Sequence, residues 1–236
     1  MERISKSHDK CKLIKEMIKT NHYPNITVTD DLEVLKIAYE NNLISISNEV
    51  YEISKSTYDS IKLKDNHAGI IAAISLNKYD YNDFSKCEYL MVLDHLEIPG
   101  NIGTIYRTLD SAKCDGVLIV DAITKINNEK ITSSSRGCNL IIPTISDTYE
   151  NILNFLLDNE YQIFLGEPKL GLDYKAYDYK GKIAIVVGNE RFGINPDWYN
   201  HESTKVYIPM EGSQNSLNVS VAASILAYEA YMKRNK

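Results

Sequence analysis

Cysteine is scarce and dispersed: Cys11, Cys87, Cys114 and Cys138 form no close pair. That spacing argues against a zinc site and against a disulfide framework, and it fits a chain kept in a reducing cytoplasm. Long apolar runs are missing too. No stretch approaches the roughly 18 consecutive apolar residues a membrane helix requires, and the opening MERISKSHDK is too charged for a signal peptide. Positive charge is in deficit, with a formal net charge of −6. This disfavours a protein that grips nucleic acid over its whole surface, but leaves room for a local basic patch. The first twenty residues hold six basic side chains against three acidic ones. A solvated helix face explains that excess as well as an RNA contact does.

What is present is an ordinary globular composition over 236 residues, 44% hydrophobic and 25% charged, enough for one or two domains. The N-terminal third alternates short helical and strand-like runs. Ser7 to Thr20 carries the stripe Leu13, Ile14, Met17 and Ile18. Asn25 to Thr29 is β-branched and suits a strand. Asp30 and Asp31 are positioned to cap a helix that Asn41 and Asn42 stop. LISIS from Leu43 reads as a strand, Asn48 as the start of a helical stretch through Ile53, and Gly69–Ser75 as a buried strand. No catalytic constellation lies in this third. Residues 1–78 are expected to form a small α/β domain, 79–88 a polar, aromatic linker, and 89–236 a second domain.

From Leu90 the rhythm becomes strand, loop, helix. LMVLDHL, GVLIV, IFL near Ile163, KIAIVV and KVYI are the apolar runs of a parallel sheet covered on both faces. Ligands bind such sheets at the carboxyl ends of strands, and three loops with unusual content leave there. PGNIGTIYRT places Gly100 and Gly103 for a tight strand exit, with a helix from Thr104 to Ala112. It lacks the third glycine of a dinucleotide fingerprint. VVGNERFG lacks the lysine and hydroxyl of a P-loop. In IPMEGSQNSLN, Ser216 and Asn218 open a helix whose stripe runs from Val219 to Ala230. A Ser-His-Asp triad is not indicated, because Ser216 sits in no nucleophile elbow and His95 and His201 have no pattern around them.

Together, N-x-G-x-I-x-R-T, V-G-N-E-x-x-G and I-P-M followed by S-L-N-V-S, in this order over Leu90 to Arg234, resemble the SpoU family of RNA ribose 2′-O-methyltransferases. SSRG at Ser134–Gly137 is most similar to the branch containing thiostrepton-resistance rRNA methyltransferases, an antibiotic-resistance activity. The resemblance implies an α/β SPOUT domain with a deep trefoil knot, preceded by a small ribosomal-protein-like RNA-binding domain. It implies a homodimer acting on RNA, ribosomal RNA first and transfer RNA as the alternative, with no metal. The implied methyl donor is S-adenosylmethionine, held by Gly188, Ile208 and Leu217, with Met210 and Leu165 nearby. Arg107 is the implied group at the 2′-hydroxyl. The resemblance gives it as the general base there; because a guanidinium keeps its proton above pH ~12, a clamp on the neighbouring RNA phosphate is the alternative role. Asn101, Glu190, Ser216 and Asn218 complete the implied catalytic set, and Arg136 is assigned to RNA phosphate or, alternatively, to the active site across the dimer. The competing class is a non-catalytic RNA-binding protein on the same scaffold, whose mark would be loss of Arg107, Glu190 or the Ser216/Asn218 pair. All are present.

Overall fold

Residues 2–5, 7–20, 26–44, 50–63 and 69–235 of a computed structural model are described. They fall into two units, one of Met1–Lys78 with Lys125–Ile141, the other of Tyr79–Thr124 with Ile142–Lys236.

The first unit starts with β1 (Glu2–Ile4), α1 (Asp9–Thr20), β2 (Ile26–Thr29), α2 (Leu32–Glu40), β3 (Tyr51–Ile53), α3 (Lys55–Asp59) and β4 (Ala72–Ser75). β1 pairs in parallel with β3, and β2 antiparallel with β4. The Asp31 carboxylate accepts the Glu33 backbone N–H at 2.9 Å and caps α2, as its position in the sequence predicts. Asn42 leaves the helix at φ 59°, a left-handed conformation that asparagine tolerates. Val34, Leu35 and Ala38 of α2 then meet Ile74 of β4 in a small core. Two expectations need correction. Tyr51–Ile53 is a strand, not the continuation of a helix, because it finds a ladder partner in β1. In Gly69–Ser75 only Ala72–Ser75 is strand and only Ile74 is fully buried, since a two-stranded pair covers one face. Residues 45–49, which hold most of the LISIS run and Asn48, lie outside the described residues.

The chain next builds β5 (Tyr89–Asp94), α4 (Pro99–Ser111) and β6 (Gly116–Val120) of the second unit. It then returns to the first unit as α5 (Glu129–Ser134) and α6 (Cys138–Ile141). Thr132 meets Thr27 hydroxyl to hydroxyl at 3.2 Å, and the Asn127 amide donates to the Ile26 carbonyl at 3.2 Å. Leu140 completes the α2–β4 core. β7 (Thr144–Asp147), α7 (Tyr149–Asp158), β8 (Gln162–Glu167), β9 (Leu172–Asp173), β10 (Ile183–Val187), β11 (Thr204–Tyr207) and α8 (Val219–Arg234) finish the second unit.

Its sheet runs β7-β6-β5-β10-β8-β11-β9, and every pairing is parallel. β5, β6 and β10 are buried at every residue, as their unbroken apolar sequences predict. The order matters for function. It sets the carboxyl ends of β5, β10, β8 and β11 side by side, so loops far apart in the chain leave from neighbouring points.

The stretch 79–88, expected as a linker, belongs to this core. Phe84 is fully buried, and Tyr81 stacks on Phe155 at 4.8 Å while its hydroxyl donates to Asp147 at 3.0 Å. A Cβ on Gly116 would come within 2.5 Å of the Phe84 ring, so glycine makes the room for it. Phe84→Ala is expected to cost about 3–5 kcal/mol, read as a lower urea midpoint. A loss below about 1 kcal/mol would return this stretch to linker status.

Candidate active site

α4 begins earlier than the sequence suggests. Pro99 is its first residue, so Gly100, Asn101 and Gly103 lie within the helix and form no strand-exit turn. The reason is a cap supplied from elsewhere. Ile98 has no capping side chain. Glu190, in the loop after β10, accepts the Glu97 N–H at 3.2 Å, the Ile98 N–H at 3.3 Å and the Asn101 amide at 2.9 Å. A carboxylate at a helix N-terminus satisfies free donors and complements the dipole.

The loop carrying Glu190 is itself closed tightly. Asn189 and Gly193 exchange backbone hydrogen bonds at 2.9 Å each way. The Asn189 side chain accepts the Arg191 and Phe192 N–H groups and donates to the His95 carbonyl at 2.7 Å. Gly193 takes φ 75°. Gly188 has no room for a side chain, because a Cβ would fall 2.2–2.4 Å from the backbone of Gly193 and Ile194.

At α8, Asn218 caps the helix. Its carbonyl oxygen accepts the Ser220 N–H at 2.9 Å and hydroxyl at 2.6 Å, and its amide donates to Asn101 at 3.2 Å. Glu190, Asn101 and Asn218 thus form one hydrogen-bonded chain that ties the loop after β10 to the first turn of α4 and the cap of α8. Thr108 of α4 and Ser224 of α8 join the helices at 2.9 Å.

These loops enclose a crevice of about 420 Å³ at the carboxyl ends of β8, β10 and β11. That size is usual for a small-molecule site, about 300–1,000 Å³. Of the residues expected to hold a cofactor, Gly188, Ile208, Met210 and Leu217 line it; of the expected catalytic set, Asn101, Glu190, Ser216 and Asn218 do. Three expected residues are not in its wall. Leu165 is fully buried in the sheet core, and its neighbour Gly166 lines the crevice instead, because adjacent strand residues face opposite ways. Arg107 is exposed on α4, with no ion pair among the described residues. Glu190 therefore bonds to loop backbone and Asn101, not to Arg107. Arg136 belongs to the first unit, 3.9 Å from Glu33.

Two features had no local signal in the sequence. His95 is held between carboxylates, Nδ1 2.6 Å from Asp94 and Nε2 3.5 Å from Asp121, because β5 and β6 end side by side. Glu167 lines the crevice and accepts a short hydrogen bond from the Tyr199 hydroxyl. Burial, then that carboxylate, holds the Tyr199 phenol above its ordinary range, so it stays a donor. No group of three or more metal-ligating side chains occurs among the described residues.

Known proteins resemble this chain over most of its length. The model of the SpoU rRNA Methylase family matches residues 88–228. A protein of Staphylococcus saprophyticus assigned to the TrmH family of tRNA/rRNA methyltransferases is 33% identical, over 94% of this chain and 93% of its own. An AdoMet-bound rRNA methyltransferase from Sinorhizobium meliloti has the same fold at TM-score 0.85, with 22% identity over 98% of this chain and 97% of the other. An RNA 2′-O ribose methyltransferase superposes at TM-score 0.80, with 22% identity, covering 99% of this chain and all of the other.

Proposed function

Because the chain belongs to the SpoU rRNA Methylase family, we propose that it methylates a ribose 2′-hydroxyl in structured RNA, ribosomal RNA in the first instance, with S-adenosyl-L-methionine as donor. The observation that carries this reading is the convergence of 98–101, 188–194 and 206–219 on one crevice. The fit to the donor is chemical. Val187, Ile194, Val206, Ala222 and Leu226 give an apolar cup for a base, and Gly188, which has no room for a side chain against Gly193 and Ile194, lines the same crevice. Gly188, Ile208, Met210 and Leu217 would hold the cofactor, which supplies an electrophilic methyl on a sulfonium when bound.

The chain's remaining task is to orient the sugar and accommodate its proton. Arg107 clamps the RNA phosphate beside the reacting hydroxyl as a two-pronged donor. The proton then leaves toward phosphate or water. Asn101 and Asn218, locked to each other and to Glu190, fix the crevice end of α4 that carries Arg107.

The test is transfer of labelled methyl to ribosomal and transfer RNA, with 2′-O-methyl sites mapped in RNA from cells with and without the gene. Sites lost from ribosomal RNA support the reading, and sites lost only from transfer RNA shift the substrate. No transfer to either favours an RNA-binding protein on the same scaffold.

The homodimer is part of the proposal. α8 exposes Val221, Tyr228 and Met232, spaced 7 and 4 residues apart on one face, and Leu217 lies just before it. A second copy would cover that stripe. Tyr228→Glu with Met232→Glu is expected to halve the molecular mass seen by light scattering. An unchanged mass would remove this helix from the interface.

A further inference from the structure

Building on the reading that S-adenosyl-L-methionine occupies the crevice, we infer that Glu167 binds the ribose diol of its nucleoside. Two carboxylates line the crevice, Glu167 and Glu190. They differ in what they have left to offer. Glu190 has both oxygens engaged, by two backbone N–H groups and the Asn101 amide. Glu167 uses Oε1 to accept from the Tyr199 hydroxyl, and its Oε2 has no hydrogen-bond partner among the described residues. An ionised carboxylate is an acceptor with room for several donors. A pair of vicinal hydroxyls suits it, and a hydrogen bond to a charged acceptor is about twice as strong as a neutral one.

Position selects the sugar over the amino acid end of the ligand. Glu167 directly follows Gly166, which forms part of the apolar cup. A Cβ on Gly166 would lie 3.0 Å from Leu226 and 3.3 Å from the Val186 carbonyl, so the backbone there packs closely against α8 and β10. A base in that cup carries its ribose to the next residue along the strand end. The carboxylate is also prepared. Lys205 sits 4.6 Å from the Tyr199 ring centre and steadies the phenol that orients Glu167.

The experiment is calorimetric binding, without RNA, of S-adenosylhomocysteine, 5′-methylthioadenosine and its 2′-deoxy analogue. Wild type, Glu167→Ala and Glu167→Gln are compared, with melting curves to verify folding. Methylthioadenosine keeps the diol and lacks the amino acid. The expected result is a loss of about 10- to 100-fold for both diol ligands in Glu167→Ala, with a smaller loss in Glu167→Gln. The preference of wild type for methylthioadenosine over its 2′-deoxy analogue should shrink in Glu167→Ala. Weakened S-adenosylhomocysteine with unchanged methylthioadenosine would overturn the inference and assign Glu167 to the ammonium group. Unchanged binding of both would overturn it as well. Failure of the wild-type chain to bind either ligand would instead strike the cofactor reading itself, and it would be seen before any substitution is made.

Discussion

Arg107→Ala is expected to leave S-adenosyl-L-methionine bound at wild-type affinity while RNA methylation falls by about 10²-fold or more. The two halves of this result rest on different observations. Arg107 is absent from the crevice wall, so nothing in cofactor binding depends on it. Its side chain is exposed and makes no ion pair among the described residues, so removing it leaves no buried charge behind and should barely move stability. Yet it stands on a helix fixed at both ends. Glu190 caps the N-terminus, and Thr108 is bonded to Ser224 of α8. A free cation on so rigid a mount has lost little entropy still to be lost on binding phosphate. Arg107→Lys keeps the charge but not the planar fork, and should recover only part of the rate. Single-turnover methylation and calorimetry on the same protein separate the two effects. Transfer that persists in Arg107→Ala would remove this residue from the chemistry.

Gly188→Ala is expected to be the most damaging single methyl group in the loop after β10. It would abolish measurable cofactor binding and cost about 1–3 kcal/mol or more in folding stability. The added carbon would lie 2.2 Å from the Gly193 carbonyl carbon and 2.3 Å from the Ile194 nitrogen. Backbone cannot swing aside as a flexible side chain does. The turn opposite is closed by reciprocal hydrogen bonds and by the Asn189 side chain, so the clash must open it. Gly193→Ala is the contrasting case. Gly193 has φ 75° but open space around its Cα, so alanine there should cost only about 1–2 kcal/mol of backbone strain and keep the cofactor. Urea unfolding with calorimetry reads both. Equal effects from the two substitutions would mean that strain, not collision, governs this loop.

The parallel strands were legible because a strand buried on both faces needs an unbroken apolar run, and β5, β6 and β10 have one. The cap of α8 was legible because Asn218 binds Ser220, its own neighbour. α4 was misjudged for the opposite reason. Its cap, Glu190, is some ninety positions away, so Gly100 and Gly103 looked like a turn. Leu165 lies in the sheet core while Gly166, one residue on, lines the crevice, and no local pattern marks which of two adjacent strand residues faces which side. His95 was passed over because Asp121 reaches it only once β6 is laid beside β5. Local chemistry is written locally, whereas anything that depends on strand order appears only after the sheet is assembled.

The excursion of residues 125–141 into the first unit governs how this protein can be taken apart. A fragment begun at Tyr79 would still carry α5 and α6, stripped of β2, α2 and β4. Ile131 and Leu140, now fully or almost fully covered, would be laid bare with them. Such a fragment should be sticky and poorly behaved in solution. Cutting at the obvious seam therefore does not yield two independent proteins, and a clean dissection would also have to bridge Thr124 directly to Ile142.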